Sequence, residues 1–247
     1  MRSQFDRDGF VVVRDALRGV DFSQVQSRCE GLFRGEFETG AYPDEWHWRQ
    51  GMSLPLQTKE ICNAWKSDLV LASLVMKESL AQLVGELMGW ESVRIAQDDV
   101  ILKPAGGGSA VGLHQDSAYI STNFALGSRR TECLSVTMWI PLEFVDAGNG
   151  SLTYVKGSHL LPTVGRIGEF HAPNSNHHNS LEAGEMETMI MHPGDVVIHH
   201  ESTWHFSRPN HSPTRSRNVL VIHYLRGMSS LCKSPPTSMP GTNCTGA

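Results

Sequence analysis

Apolar residues in the first third of the chain recur at helical spacing. Val25, Cys29, Leu32 and Phe33 lie four, seven and eight positions apart, which stacks them on one helix face. Asp21 or Ser23 stands where the N-terminal cap of that helix belongs. After Ser67-Asp68 a stronger stripe of Leu80, Leu83, Val84, Leu87 and Met88 stops at Gly89, the residue type that most readily takes the left-handed turn closing a helix. The pattern predicts one long helix here, with a scaffold role.

Beyond Trp90 the pattern changes to short β-rich runs separated by Gly, Pro, Asn and Asp, which predicts an antiparallel sandwich and not alternating βαβ units. Residues 93–103 open the series. Within 133–140, Leu134, Val136, Met138 and Ile140 alternate with Ser135, Thr137 and Trp139, the period of a strand with two different faces. Further strands are predicted over 151–155, 195–200 and 218–225, with turns at Gly148-Asn149-Gly150 and Pro193-Gly194-Asp195. Residues 165–187 lack periodicity and read as a long loop over the site. A single domain is expected over 1–228, followed by a disordered tail of Pro, Ser, Thr and Gly bias over 229–247.

Composition narrows the function classes. With 40% hydrophobic and 19% charged residues, the chain can bury a sizeable core and is not disordered as a whole. Its net charge of -5, with Lys and Arg scattered, gives no basic footprint, so a small-molecule partner is expected, not nucleic acid or membrane. The five cysteines are widely spaced without a CxxC pair, which argues against a disulfide framework or zinc knuckle and for a reducing, cytoplasmic setting. The charged start does not resemble a signal peptide. Asn210-His211-Ser212 and Asn243-Cys244-Thr245 match the glycosylation pattern, which has no meaning outside the secretory route.

The candidate chemistry begins at His114-Gln115-Asp116, behind Gly106-Gly107-Gly108. On an extended strand this spacing puts the imidazole and carboxylate on one face. Because the chain holds 12 histidines, about half an HxD match is expected by chance, and the pair needs support from elsewhere. It comes 91 residues downstream, at His205-Phe206-Ser207-Arg208-Pro209-Asn210, followed by Arg215 and Arg217. Two imidazoles and one carboxylate around one ion leave three positions open. A chelating 2-oxo acid and dioxygen can fill them, whereas a closed four-ligand site serves structure alone. His199 and His200 point to opposite faces of a strand; His200 is expected nearer the pocket, in a structural role. His177 and His178 are expected to be exposed, and Trp46 and Trp48 to pack on the scaffold.

Several short motifs occur together in a telling order: residues 5–13, Ile101-Leu102-Lys103-Pro104, His114-Gln115-Asp116, Trp139-Ile140-Pro141-Leu142, Asn149-Gly150-Ser151-Leu152, Lys156-Gly157-Ser158-His159 and Pro193-Gly194-Asp195. The chain thereby resembles the phytanoyl-CoA dioxygenase family of iron(II)- and 2-oxoglutarate-dependent oxygenases. The resemblance implies a mainly β fold, a double-stranded β-helix or jelly roll with flanking N-terminal helices and iron between its sheets. It implies His114, Asp116 and His205 as metal ligands, and Arg217 as the receiver of the 5-carboxylate of 2-oxoglutarate, a task suited to a guanidinium fork. Lys103, Trp139 and Ser207 match secondary co-substrate contacts. Residues 212–217 are one longer than the family pattern, which leaves Arg215 as the alternative; register against the final strand favours Arg217. The implied reaction uses dioxygen to hydroxylate an unactivated carbon of a small molecule, with release of succinate and CO2 and ascorbate as an auxiliary reductant. Related halogenases carry a small residue at the carboxylate position, so Asp116 favours hydroxylation. Two other classes fit the residues: an inert metal-binding jelly roll, and a cupin-like metal enzyme that does not use 2-oxoglutarate.

Overall fold

The computed structural model describes residues 1–118, 124–125, 133–161, 184–227 and 230–231. The loop expected over 165–187 lies outside them up to residue 183, with His177 and His178. The tail from 232 onward, with Cys232, Asn243 and Cys244, lies outside them too. In chain order the elements are α1 (Arg2–Asp8), β1 (Phe10–Val13), α2 (Phe22–Phe33), β2 (Glu45–Trp46), β3 (Lys59–Cys62), α3 (Leu69–Val75), α4 (Glu78–Met88), β4 (Val93–Lys103), β5 (Val111–His114), β6 (Phe124–Ala125), β7 (Ser135–Pro141), β8 (Leu152–Val155), β9 (Met186–Thr188), β10 (Val196–His200), β11 (His205–Ser207), β12 (Arg217–Arg226) and β13 (Ser230–Leu231). The last of these falls in the stretch expected to be tail, yet it pairs with β6.

Local chemistry explains the helix ends. The Asp21 carboxylate accepts from the Ser23 and Gln24 amides and starts α2, satisfying donors that the first turn leaves unpaired. The single long helix expected after Asp68 is two helices. Asp68 caps α3 through the Leu71 amide, the chain extends at Lys77 (φ -64°, ψ 117°), and α4 then runs to Gly89 at φ 67°. Leu71, Leu74 and Val75 of the first piece and Leu80, Val84 and Leu87 of the second are all buried. The apolar stripe therefore continues through the break and conceals it.

Two antiparallel sheets form the jelly roll. The larger has the order β1-β10-β7-β12-β4-β3-β2 and the smaller β5-β11-β8-β9. Period-two alternation divides the larger sheet. Val136, Met138, Ile140, Val196, Ile198, Leu220 and Ile222 turn outward and pack with helix residues such as Leu32, Leu71 and Val84. At roughly 1.5–3 kcal/mol for each fully buried large apolar side chain, this helix-covered face is the main source of stability. Trp139, Val197, Val219 and Val221 turn inward and meet Leu152 and Tyr154 of the smaller sheet. Trp48 is buried in the helix-side core and Trp46 packs beside it, as a scaffold role requires. Cys29, Cys62 and Cys133 are free thiols. Among the described residues no helix is long and apolar enough to cross a membrane.

The pairing register sets out the inner face. Along β12 and β4, Arg217 faces Lys103, Val219 faces Ile101, Val221 faces Asp99 and His223 faces Gln97. On β7, Thr137 pairs with His223 on one side and with His199 of β10 on the other. One end of the sheet interior thus holds a polar row of His199, Thr137 and His223, and the other holds two cations, with apolar side chains between them.

Gly150 shows how tightly the cation end is built. It takes φ +82°, and a Cβ there would lie 2.8 Å from the Arg208 carbonyl oxygen. Gly19 has a similar φ of +81° but open space around it. Gly19→Ala is expected to cost about 1–2 kcal/mol from backbone strain alone, and Gly150→Ala about 1–3 kcal/mol more from the clash. Urea denaturation of the two variants measures the difference.

Candidate active site

His114 ends β5, and His205 begins β11 directly opposite it, so ladder geometry alone brings the two rings to 4.1 Å between centroids. His114 Nδ1 lies 2.8 Å from the Gly112 carbonyl oxygen and His205 Nδ1 2.9 Å from that of Thr203. A carbonyl only accepts, so each Nδ1 carries a proton, and in the neutral tautomer that geometry leaves the lone pair on Nε2. Asp116 is not on the strand, contrary to expectation. The strand stops at His114, and Asp116 opens the 3-10 turn Asp116–Ala118, which the Ser117 amide fastens to the Glu201 carbonyl at 2.8 Å. The turn still delivers the carboxylate: Asp116 Oδ1 lies 3.5 Å from His114 Nε2 and 3.4 Å from His205 Nε2.

All three side chains are buried and can share one ion. Burial opposes the Asp116 charge, but the surrounding imidazoles of His205, His114 and His199 hold its pKa well below the usual carboxylate range. Burial, and then the neighbouring His114, push the His205 pKa well down, so His205 is neutral. One carboxylate and two imidazole lone pairs therefore aim at a common point. A divalent cation satisfies all three, and nitrogen–oxygen donors of this kind suit iron(II).

The other carboxylate oxygen has different company. Asp116 Oδ2 accepts from His199 Nε2 at 2.9 Å and from the Thr137 hydroxyl. His199 Nδ1 accepts from the Tyr154 hydroxyl at 2.8 Å, and His223 Nδ1 donates to Thr137 Oγ1 at 2.9 Å. This corrects the expectation for the histidine pair of β10. His199 is the one beside the triad, whereas His200 lies against Phe5 and His159.

The remaining candidates meet at the cation end. Lys103 Nζ donates to Ser207 Oγ at 2.7 Å and to the Arg208 carbonyl at 2.6 Å. Arg217 donates through Nε to the Gly150 carbonyl at 3.1 Å and through Nη2 to Ser207 Oγ at 3.4 Å, and its guanidinium lies 5.8 Å from the Trp139 ring centroid. Among the described residues its Nη1 is buried without a hydrogen-bond partner. Burial, with Arg217 adding, pushes the Lys103 pKa down to about 6; burial also pushes that of Arg217 down to about 10. Like charges facing each other across paired strands repel, and the unpartnered Nη1 points to an anion as the missing partner. Arg215 is elsewhere, ion-paired with Asp146 at 2.9 Å and 41% exposed at its side chain.

Trp139, Ser207 and Arg217 line one cavity with the triad, and Ile101, Val111, Leu152 and Val221 give it apolar walls. Glu60 and Asp99 also line it; burial and the Asp99 charge push the Glu60 pKa up to about 7. Sequence reasoning missed Glu60, Asp99, Thr137, His199 and His223. Alternation offered a signal for some: Thr137 shares a face with Trp139, and Asp99 with Lys103. Asn210, the end of the second cluster and a glycosylation match, is buried; its side-chain amide donates to the Pro104 and Arg215 carbonyls at 3.0 and 2.7 Å, tying together the strand ends that carry Lys103 and Arg217.

The fold is that of the 2-oxoglutarate oxygenases. Residues 5–219 match the family model described as phytanoyl-CoA dioxygenase, and the chain belongs to that family. It is 32% identical over 155 residues to a "Probable alpha-ketoglutarate-dependent hypophosphite dioxygenase" of Stutzerimonas stutzeri, covering 60% of this chain and 51% of that protein. The chain thus spans about half the length of this relative. It is 24% identical over 234 residues to "Dioxygenase lolE1" of Epichloe uncinata, covering 92% and 83% of the two chains. The crystal structure of the epimerase SnoN in complex with Fe3+, alpha ketoglutarate and nogalamycin RO superposes with a TM-score of 0.73, at 21% identity over 98% of this chain and 89% of that one.

The two arginines separate cleanly by experiment. Arg217→Ala removes the buried fork and is expected to weaken 2-oxoglutarate binding by at least about 30-fold, the loss of one or two charge-assisted hydrogen bonds. Arg215→Ala breaks an exposed ion pair worth at most about 1 kcal/mol and leaves that affinity unchanged. Anaerobic titration of the manganese(II)-loaded variants, followed by tryptophan fluorescence, reads both.

Proposed function

We propose that this chain is an iron(II)- and 2-oxoglutarate-dependent dioxygenase that hydroxylates an unactivated carbon of a small-molecule metabolite, with residues 1–228 as the catalytic unit. One observation carries the reading: a single cavity has a three-donor cation site at one end and the buried Arg217 guanidinium at the other, with Lys103 behind it bonded to the same Ser207 hydroxyl. A short dicarboxylate with a chelating end fits that polarity. Ser207 stands two positions along β11 from His205, about 6.6 Å at the usual rise of a strand, which is the scale of a five-carbon diacid.

Each group then has a task. His114, Asp116 and His205 hold the metal through Nε2, a carboxylate oxygen and Nε2. Arg217 receives the far carboxylate, with Nε and Nη2 held by the Gly150 carbonyl and Ser207; Lys103, bonded to the same Ser207, adds a second positive charge when protonated, and Trp139 walls the cavity beside the guanidinium. The apolar walls exclude water, which strengthens these charge interactions. Iron(II) bound there, with dioxygen and 2-oxoglutarate, supplies the oxidation of a C–H bond, the co-substrate leaving as succinate and CO2. The carboxylate at Asp116, where related halogenases have a small residue, supports hydroxylation. The hypophosphite named for the Stutzerimonas relative is not carried over, because the match covers only 51% of that protein.

Two measurements test the assignment. Anaerobic addition of iron(II) and 2-oxoglutarate is expected to produce a visible metal-to-ligand charge-transfer band, and air should then release succinate. His114→Ala and His205→Ala should abolish both, and an unchanged band in either variant would overturn the ligand set. The second is a pH dependence. A carboxylate beside Lys103 raises its pKa from about 6, so binding takes up a proton above that pH. Affinity for 2-oxoglutarate is therefore expected to be constant below about pH 6 as far as this group is concerned, and to fall as pH rises above it, by up to tenfold per pH unit. Calorimetry in buffers of different ionisation enthalpy counts the proton, and Lys103→Met should abolish its uptake.

A further inference from the structure

We infer that His199 is a positioning residue which, with Thr137, holds Asp116 so that the carboxylate presents one oxygen, Oδ1, to the metal. The inference rests on the ligand set proposed above. The two oxygens of Asp116 have separate surroundings. Oδ1 faces the two imidazoles of the smaller sheet at 3.5 and 3.4 Å. Oδ2 faces the larger sheet, where His199 Nε2 at 2.9 Å and the Thr137 hydroxyl both reach it.

The donors are fixed from behind. The Tyr154 hydroxyl donates to His199 Nδ1 at 2.8 Å, so the proton of a neutral His199 lies on Nε2, directed at Asp116. Thr137 gives its only proton to Asp116 and so accepts from His223 Nδ1 at 2.9 Å; His223 Nε2 lies 3.2 Å from Asp99 Oδ2. Asp116 Oδ2 thus ends two hydrogen-bond chains arriving from strands β10 and β7. Both donors are buried and directly paired across those strands, so neither can follow the carboxylate if it rotates.

A single presented oxygen has a chemical consequence. A carboxylate that coordinates through both oxygens fills two metal positions, and this chemistry needs the open ones for the chelating acid and dioxygen. Rotating Asp116 to offer Oδ2 would break two buried hydrogen bonds and leave the His199 and Thr137 donors unsatisfied, a loss that buried polar groups resist strongly. A filler residue would need none of this: a side chain of similar shape without a donor could occupy the His199 position between Tyr154 and Asp116.

Cobalt(II) alone, bound anaerobically to the full chain, provides a readout independent of turnover. Its dissociation constant comes from competition with a chromophoric chelator, and its visible ligand-field spectrum reports coordination number. His199→Phe is expected to weaken cobalt(II) binding by about 10–100-fold, the usual range for loss of a group that orients a ligand, and to lower the absorption intensity as Asp116 turns to two-oxygen binding. His199→Gln keeps an N–H donor and should restore both to near the parent values. Thr137→Val, close in shape and suited to a strand, should shift both in the same direction as His199→Phe, and decides the matter if the latter does not fold. Parent affinity and spectrum in a folded His199→Phe or in Thr137→Val would overturn the inference. His114→Ala separates the two readings: if it binds cobalt(II) as the parent does, the ligand set itself is wrong, whereas lost binding there with unaltered His199 and Thr137 variants rejects only the positioning role.

Discussion

A carboxylate shut between two β-sheets stays ionised only if the protein surrounds it with partners, because desolvation of a bare charge costs more than a small fold can tolerate. Asp116 is that carboxylate, and its partners come from both sheets at once. The larger sheet offers two donors, His199 and Thr137, and the smaller sets the Nε2 atoms of His114 and His205 beside the other oxygen, where a shared cation would complete the set. Neither sheet could hold it alone. The meeting of the sheets, the stop of β5 at His114 and the turn that lifts Asp116 off the strand line all answer to this one requirement.

The opposite charge problem stands at the other end of the same interior. Lys103 and Arg217 are cross-strand partners and buried, with Ser207 Oγ bonded to both. Strand β12 links the two ends like a ruler: Arg217, Val219, Val221 and His223 turn inward in succession, from cation through apolar wall to the histidine that bonds to Thr137 beside Asp116. The period of a strand converts a sequence of alternating residues into a cavity graded in polarity. Rigidity follows from the hydrogen-bonded neighbours on both sides, β4 and β7.

This explains which features could be read beforehand. The strands, the antiparallel sandwich, the helix ends at Asp21 and Gly89 and the His114-Gln115-Asp116 pattern depend on local residue order, which the sequence displays; the jelly roll was implied by the family resemblance. The break at Lys77 was hidden because α3 and α4 both bury apolar residues against the same core. The choice between His199 and His200 failed for a related reason. Residues 196–199 are buried on both faces, so alternation carries no polar side to mark which face looks inward. Lys103 against Arg217, and Thr137 between His199 and His223, are matters of long-range register, which no local pattern contains. Arg215 and Arg217 have the same parity, but β12 begins only at Arg217, and Asp146 draws Arg215 into an ion pair outside the strand.

The two faces of the larger sheet divide the work of stability and chemistry. Its inner face carries ionisable and hydroxyl groups at positions where aliphatic side chains would pack more favourably, and these groups weaken the interior unless fully partnered. Its outer face compensates with a layer of Val, Met, Ile and Leu packed in one core with residues of α1, α2, α3 and α4. The part of the helices is to hold β7, β10 and β12 flat against one another, so that the Thr137, His199 and His223 row keeps its register. A residue such as Leu71 or Val84, far from the metal cluster, thereby contributes to the geometry of Asp116 through the strands it presses on, and the site is as precise as the core behind it.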